Sequence, residues 1–372
     1  MKTVVLPFYV KLACVLLSIL LLGYLAILGH TILAPLILGF LCSVLLLPLA
    51  NLLERNFQMP RSVSSLLSSI ALVILIGAVF TLLGTQLSSL ANDWPAFKQQ
   101  LLKSAADLQF WISDTFHVNN KAQIDYINQA ASKSLSTGTT LLSKTLMSLS
   151  SLFLLLLFSF LYTFFILFHR RLIVRFLVNS FKENHSPVVY EIVYQIQYII
   201  KRYVVGLFLQ MLIVTILACL AFYFIGVKYS FLLGLITGIF NIIPYVGIFT
   251  ALVITVLITF ATSTATNVLF VVIALVVIHA VDGNYIMPKI VGSKVQINTL
   301  IALIGLVLGE MLWGITGMFL SIPIIAIMKV VFDRVPELKP WGMLLGDESS
   351  EEGSYMKIPK RTRKQKIENL LD

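Results

Sequence analysis

The chain has 372 residues, 58% of them hydrophobic and 12% charged, with a formal net charge of +10 at pH 7. Soluble domains carry about 25% charged residues and about 45–50% apolar ones, so this little charge cannot cover a water-soluble globule. A soluble enzyme, a free nucleic-acid-binding domain and a disulfide scaffold are set aside, and the expected class is an all-α polytopic transmembrane protein.

Leu12 to Gly29 carries no charge and follows Lys2 and Lys11. No small-residue cleavage site followed by soluble sequence comes after it, so it reads as a retained span. Thr31 to Ala50 is a second apolar run, with Pro35 and Pro48 expected to kink or end its helix. Glu54, Arg55 and Arg61 mark a short charged loop, and Val63 to about Gln86 makes span 3, which completes an N-terminal unit over residues 1–87. Residues 88–144 are soluble in character, with five Lys, four Asp and two Trp. Phe97, Leu101, Leu108 and Trp111 repeat as one helical face does, and the segment reads as two or three amphipathic helices outside the membrane.

Residues 145–168 contain span 4, and residues 169–202 form a basic loop with six Lys or Arg against Glu183 and Glu191. Within the loop, Val189, Ile192, Val193, Ile196 and Ile200 trace an amphipathic helix. Span 5 runs from Tyr203 to Val227. The positive-inside rule puts the loops at 51–62 and 169–202 in the cytoplasm, with segment 88–144 outside and both termini inside.

Residues 229–281 run for 53 positions without one Lys, Arg, Asp or Glu. That is long for two spans of about 20 residues and short for three. Asn241 to Gly247 (Asn-Ile-Ile-Pro-Tyr-Val-Gly) reads as a break and Ser263 to Asn267 as a turn, giving helices over 230–242, 247–262 and 267–281. Residues 295–328 hold 34 positions with Glu310 as the single charge. One straight helix there would be about 51 Å long. Gly305, Gly309, Gly314 and Gly317 cluster at its middle, so a hairpin dipping into the membrane fits better. These elements form a C-terminal membrane core over 203–328, followed by a basic tail over 329–372. The whole is expected to have about eight membrane segments, broken or re-entrant helices among them.

Gly234 to Gly247 (Gly-Leu-Ile-Thr-Gly-Ile-Phe-Asn-Ile-Ile-Pro-Tyr-Val-Gly) and Asp282 to Gly292, which contains Pro288, carry a resemblance to a known family. So do Gly309 to Gly317, Pro323, and the earlier Ala34 to Gly39 and Trp94-Pro95. Together they resemble the signature of the autoinducer-2 exporter family of bacterial membrane proteins. The resemblance covers roughly residues 5–345. It implies about eight membrane segments in the bacterial inner membrane and a transport role: export of a small signalling molecule of the furanone type, or sodium/proton antiport. One departure concerns a Leu-His-Pro stretch of the family, where this chain has Ile297-Asn298-Thr299. A mechanism resting on that His does not carry over.

The sequence contains no phosphate-binding loop, zinc-protease motif or nucleophile elbow, so no enzyme activity, cofactor or metal is expected. Cys14, Cys42 and Cys219 lie far apart in apolar runs and read as packing residues. An ionisable group inside a membrane segment costs about 2.5–3.5 kcal/mol on insertion scales and is a functional candidate by default. Glu310 is either an exchanging carboxyl or an interfacial acid at the hairpin tip. Asp282 and His279, three apart on one helix face, are either a relay pair or, as the favoured reading, a helix end with turn chemistry at Asp282-Gly283-Asn284. Asn241, Pro244, Tyr245 and Gly247 make the best binding or gating candidate, because unwound backbone in a membrane is tolerated where it lines a cavity. The plainer alternative is a turn between two short spans. Pro288, Gly292, Gly309, Gly314, Gly317 and Pro323 are expected to be structural. The tail carries six basic residues over 357–366, fit for anionic lipid, and no nucleic acid is expected. The short spans suggest subunit contacts in a homo-oligomer. The expected function is alternating-access transport of a small polar solute or cations; the rival is a non-transporting scaffold that recruits partners.

Overall fold

The computed structural model describes residues 7–92, 99, 152–182, 185–292 and 297–346. The amphipathic helices expected over 88–144 and the basic tail over 357–366 lie outside the described residues, apart from 88–92 and 99. Among the described residues the chain is helical, with an isolated antiparallel bridge between Ile297 and Gly346 as its β pairing. Among the described residues six helices are long and apolar enough to cross a membrane, and a bent pair makes up to seven. Their many exposed Leu, Ile, Val and Phe side chains are what a chain dissolved in lipid presents, with backbone polar groups satisfied inside each helix. This is an all-α polytopic membrane protein.

The chain divides into two compact units: residues 1–69, 155–204 and 294–372 form the first, and residues 70–154 and 205–293 the second. In the first unit, α1 (Phe8–Leu28) is followed by α2 (His30–Asn56). Pro35 and Pro48 were expected to kink or end this helix, and neither ends it: α2 runs on through both. Each proline removes one donor, a loss that membrane helices tolerate where neighbouring groups meet the freed backbone. Gly39 of α2 lies against Ser159, Tyr162 and Thr163 of α4 (Leu152–Phe168), and Thr163 Oγ1 donates to the Gly39 carbonyl at 3.2 Å. The start of α3 (Arg61–Asn92) buries Ser64, Ser65, Ser68 and Ser69, with Ser64 Oγ donating to Ala50 O at 2.6 Å. Small residues let the backbones approach, which is how helices associate without a hydrophobic driving force.

After α4 the chain bends by 70° into α5 (Arg170–Asn179). The amphipathic helix expected near 189–200 and the span expected from Tyr203 are in fact one helix, α6 (Ser186–Ile225), 40 residues long. No Pro or turn signal separates the two patterns, so backbone hydrogen bonding carries the helix from a polar environment into an apolar one. The basic loop is correspondingly shorter than the sequence pattern suggests.

In the second unit, α6 ends in a Schellman pattern, with Val227 N bonding to Phe222 O at 3.1 Å and Gly226 N to Tyr223 O at 3.0 Å. Three helices follow: α7 (Ser230–Phe240), α8 (Val246–Thr262) and α9 (Ala265–Val281). Thr264 caps α9 by accepting from Asn267 N. The core joins Val214, Ala218 and Phe222 of α6 to Leu232 and Leu233 of α7, Ile258 of α8, and Val271 and Leu275 of α9. Two π-helical turns, Asp282–Ile286 and Pro288–Gly292, prolong α9.

The first unit also holds α10 (Thr299–Arg334), whose backbone reverses at Trp313 (φ −138°, ψ 17°) and Gly314 (φ 60°, ψ −141°). Gly314 occupies a region that only glycine enters without strain. In a straight helix Gly305 and Ile325 would be about 30 Å apart, but a Cβ added at Gly305 would meet the Ile325 side chain. The segment is therefore a helical hairpin, and Gly309 and Gly317 press backbone to backbone across it. Gly309→Ala would drive a methyl group into the Gly317 carbonyl and is expected to cost about 2 kcal/mol. Thermal unfolding of the purified protein in detergent checks this, and an unchanged midpoint would contradict the hairpin contact. A turn at Pro336–Leu338 and a short helix, α11 (Lys339–Leu345), follow.

Candidate functional site

The break between α7 and α8 is built by its own sequence. Pro244 has no N–H and cannot continue the ladder of α7. Val246 N instead bonds to Pro244 O at 2.7 Å, closing a γ-turn around Tyr245 at φ 63°, ψ −61°. That turn is rare and strained for a residue with a side chain. The helix resumes when Gly247 N bonds to Ile243 O at 3.0 Å. Gly247 is buried, and a Cβ there would collide with the Phe240 carbonyl. The carbonyls of Asn241 and Ile242 accept no backbone hydrogen bond among the described residues. Tyr245 is 54% exposed, and Pro244 is half-buried.

Asn241, the first residue of this break, is turned inward and 6% exposed. Its Nδ2 donates to Asp282 Oδ2 at 2.9 Å, across from the first π-helical turn. Gln210 Nε2, from α6, donates to both Asp282 oxygens at 2.8 and 3.0 Å. Asp282 is 4% exposed and Gln210 6%. Among the described residues no Lys or Arg forms an ion pair with Asp282. The amide orientations follow from chemistry, because an ionised carboxylate only accepts. A buried charge facing neutral amides keeps part of its desolvation cost, since amide dipoles replace water but not a counter-charge.

The sequence pattern favoured a helix end at Asp282. The backbone instead continues through the two π-helical turns, and the carboxylate is the hub of the cluster. π-Helical turns are frequent at functional sites because the wider turn re-aims side chains. His279, the partner in the alternative relay reading, makes no hydrogen bond among the described residues through either buried ring nitrogen. Asp282 pairs with residues 41 and 72 positions away, not with its helix neighbour. Gln210 was missed by the sequence reading, although a lone amide between Gly206 and Thr215 in an uncharged span was the signal available.

The remaining candidates sit apart in sequence. Pro288 and Gly292 begin and end the second π-helical turn. Pro323 is buried in the returning leg of α10, and Gly309, Gly314 and Gly317 make the hairpin. Glu310 is exposed beside the hairpin turn, three residues before Trp313, whose Nε1 donates to Ala26 O at 2.9 Å. Asp282 belongs to the second unit and Glu310 to the first.

Residues 15–337 match the family model described as AI-2E family transporter. Among individual relatives, YueF of Bacillus subtilis (strain 168), named for transport, is 25% identical over 321 residues, covering 83% of this chain and 85% of its own. The AI-2 transport protein TqsA of Escherichia coli (strain K12) is 25% identical over 325 residues, or 86% of this chain and 91% of the relative. YrrI of Bacillus subtilis (strain 168) is 36% identical over 129 residues, which is 35% of this chain and 36% of that protein.

Proposed function

We propose, from the premise that this chain belongs to the AI-2E family of transporters, that it is a secondary transporter in which Asp282 takes up and releases a cation as a small polar solute crosses the membrane. The observation that carries this reading is the buried Asp282 carboxylate held by the Gln210 and Asn241 amides. A permanent ion pair would lock such a carboxylate in one state. Amide partners leave it able to exchange a proton or Na⁺, whose binding relieves the charge that burial makes costly. Asn241 ties the carboxylate to the strained turn at Tyr245, so loading Asp282 changes the hydrogen bonds of the broken helix. A two-state element whose arrangement depends on a bound ion is what alternating access requires.

The unwound carbonyls of Asn241 and Ile242 supply acceptors for the solute. The AI-2 signal, in the name of the Escherichia coli relative, is the first candidate to try. Membership of the family points to the bacterial inner membrane, and the loop charges favour both termini in the cytoplasm. Purified protein in proteoliposomes tests the reading, with pH-gradient, sodium-gradient and AI-2 flux measured side by side. Cation-dependent flux above that of empty vesicles supports it. Absence of all three fluxes in folded, correctly inserted protein favours the scaffold reading instead.

Glu310 remains a second candidate because it is the one charge in 34 residues. Glu310→Gln is expected to reduce flux about threefold to tenfold, the range for losing one ordinary hydrogen bond. Wild-type flux with normal expression would remove Glu310 from the mechanism.

A further inference from the structure

The first unit holds a cavity of about 120 Å³ between α2, α4, α5 and the start of α6. Phe40, Val44 and Leu47 of α2, Ile166 of α4, and Ile173 and Val174 of α5 give it an apolar wall. Arg170 is the one charged residue in that wall. Its guanidinium forks onto Glu54 at 2.9 and 2.7 Å. Arg61, at the start of α3, feels the charges of Arg171, Arg170 and Glu54 together. The charges of Arg170 and Arg171 thus reach Arg61 beside the Arg170–Glu54 pair, and among the described residues the Nε of Arg61 is buried without a hydrogen-bond partner.

The depth of this cluster follows from α5. It leaves α4 at 70°, so when α4 crosses the bilayer α5 runs close to the membrane plane. Val174 and Val178 face the protein, while Leu172 and Phe176 are exposed beside Arg171 and Arg175. Apolar and basic side chains together on the outer side are the pattern of a helix at the headgroup boundary. Phe40 to Leu47 lie about 10–21 Å along α2 from Glu54, inside the hydrocarbon when Glu54 is at the headgroups.

We propose that the Arg61–Arg170–Arg171 cluster and the adjoining cavity bind an anionic phospholipid, with its phosphate at the guanidinium groups and one acyl chain along Phe40, Val44 and Leu47. Charge complementarity selects an anionic headgroup over a zwitterionic one, as basic pockets between membrane helices do. The apolar cavity selects a lipid over a soluble phosphate, which would gain nothing from Phe40 or Ile173. Bidentate guanidinium geometry suits phosphate oxygens. The proposal does not rest on the transport reading.

Native mass spectrometry of the full chain in detergent tests it, with dioleoyl-phosphatidylglycerol or dioleoyl-phosphatidylcholine added. Phosphatidylglycerol is expected to bind at least about tenfold more tightly, from two or more guanidinium contacts. Arg61→Gln should weaken it about fivefold, the equivalent of one basic contact, while Arg61→Lys keeps most of the binding. Ile173→Trp, which fills the cavity from a partly exposed position, should weaken it as well. Equal binding of the two lipids would overturn the proposal, as would wild-type binding by Arg61→Gln. Equal competition by inorganic phosphate or dihexanoyl-phosphatidylglycerol would remove the acyl-chain part and overturn it as a lipid site. If Ile173→Trp does not fold, the short-chain competition still reads the cavity.

Discussion

Asp282→Asn is expected to lower coupled flux in proteoliposomes by at least about tenfold, the equivalent of one charge-assisted hydrogen bond or more, while the protein still folds and inserts. Asn has nearly the volume of Asp and keeps one acceptor oxygen. The Gln210 and Asn241 side chains can each rotate their amide to present the oxygen where a donor now stands. The cluster stays filled and hydrogen-bonded, so folding loses little. What disappears is the negative charge, and with it the means of binding a proton or Na⁺. Asp282→Leu separates the two roles. It leaves two buried amides without their acceptor at about 1–3 kcal/mol each, so it should lose stability as well as flux. Wild-type flux in Asp282→Asn, with normal expression, would make the buried carboxylate a structural feature. Gln210→Leu provides a companion measurement. It removes a donor that touches both carboxylate oxygens and should change the cation dependence of flux even where maximal flux survives.

Gly247→Ala is the substitution expected to damage the fold most, at about 3 kcal/mol, the upper part of the range for overpacking a buried site. The added methyl would meet the carbonyl oxygen and carbon of Phe240. Both are backbone atoms at the end of α7, so no rotamer change relieves the clash. Either α7 or α8 must shift, and a shift of α7 carries Asn241 away from Asp282. Stability and transport should therefore fall together. Gly77→Ala and Gly84→Ala in α3 are the controls, because an added Cβ there meets nothing within 4 Å. Both should be neutral or slightly stabilising, by up to about 1 kcal/mol. Thermal unfolding in detergent, run alongside flux, distinguishes the cases. A Gly247→Ala protein as stable as the controls would mean that the break is looser than the close Phe240 contact implies.

Sequence patterns located these elements unevenly. The break at 241–247 was legible because Pro and Gly act through the backbone of their own neighbourhood. At Pro244 the missing N–H takes one bond out of the ladder, and Gly247, three residues on, permits the close backbone approach that the turn needs. The hairpin in α10 was legible for a related reason: 34 positions with a single charge are too long for one span, and the glycines in their middle allow both a reversal and a close return. The prolines of α2 did not end it, since a membrane helix tolerates proline where its surroundings meet the freed backbone groups. The helix–span boundary near Tyr203 was invisible as well. Periodicity changes there from one-sided to apolar all round, but nothing in the backbone has to stop.

Composition, charge and the placement of Pro and Gly by themselves determined the solvent of this protein, its all-helical class, and two of the places where its helices break. Those properties follow from each residue's own hydration and backbone geometry. Only the tertiary structure decided what Asp282 does. In sequence it stands beside Gly283 and Asn284 and looks like a turn. In space it is held by Gln210 and Asn241, 72 and 41 residues away. The same holds for Arg61, which feels the charges of Arg170 and Arg171 from more than a hundred residues along the chain. The state of a buried charge is set by whatever surrounds it within a few ångströms, and that neighbourhood exists only after the helices pack.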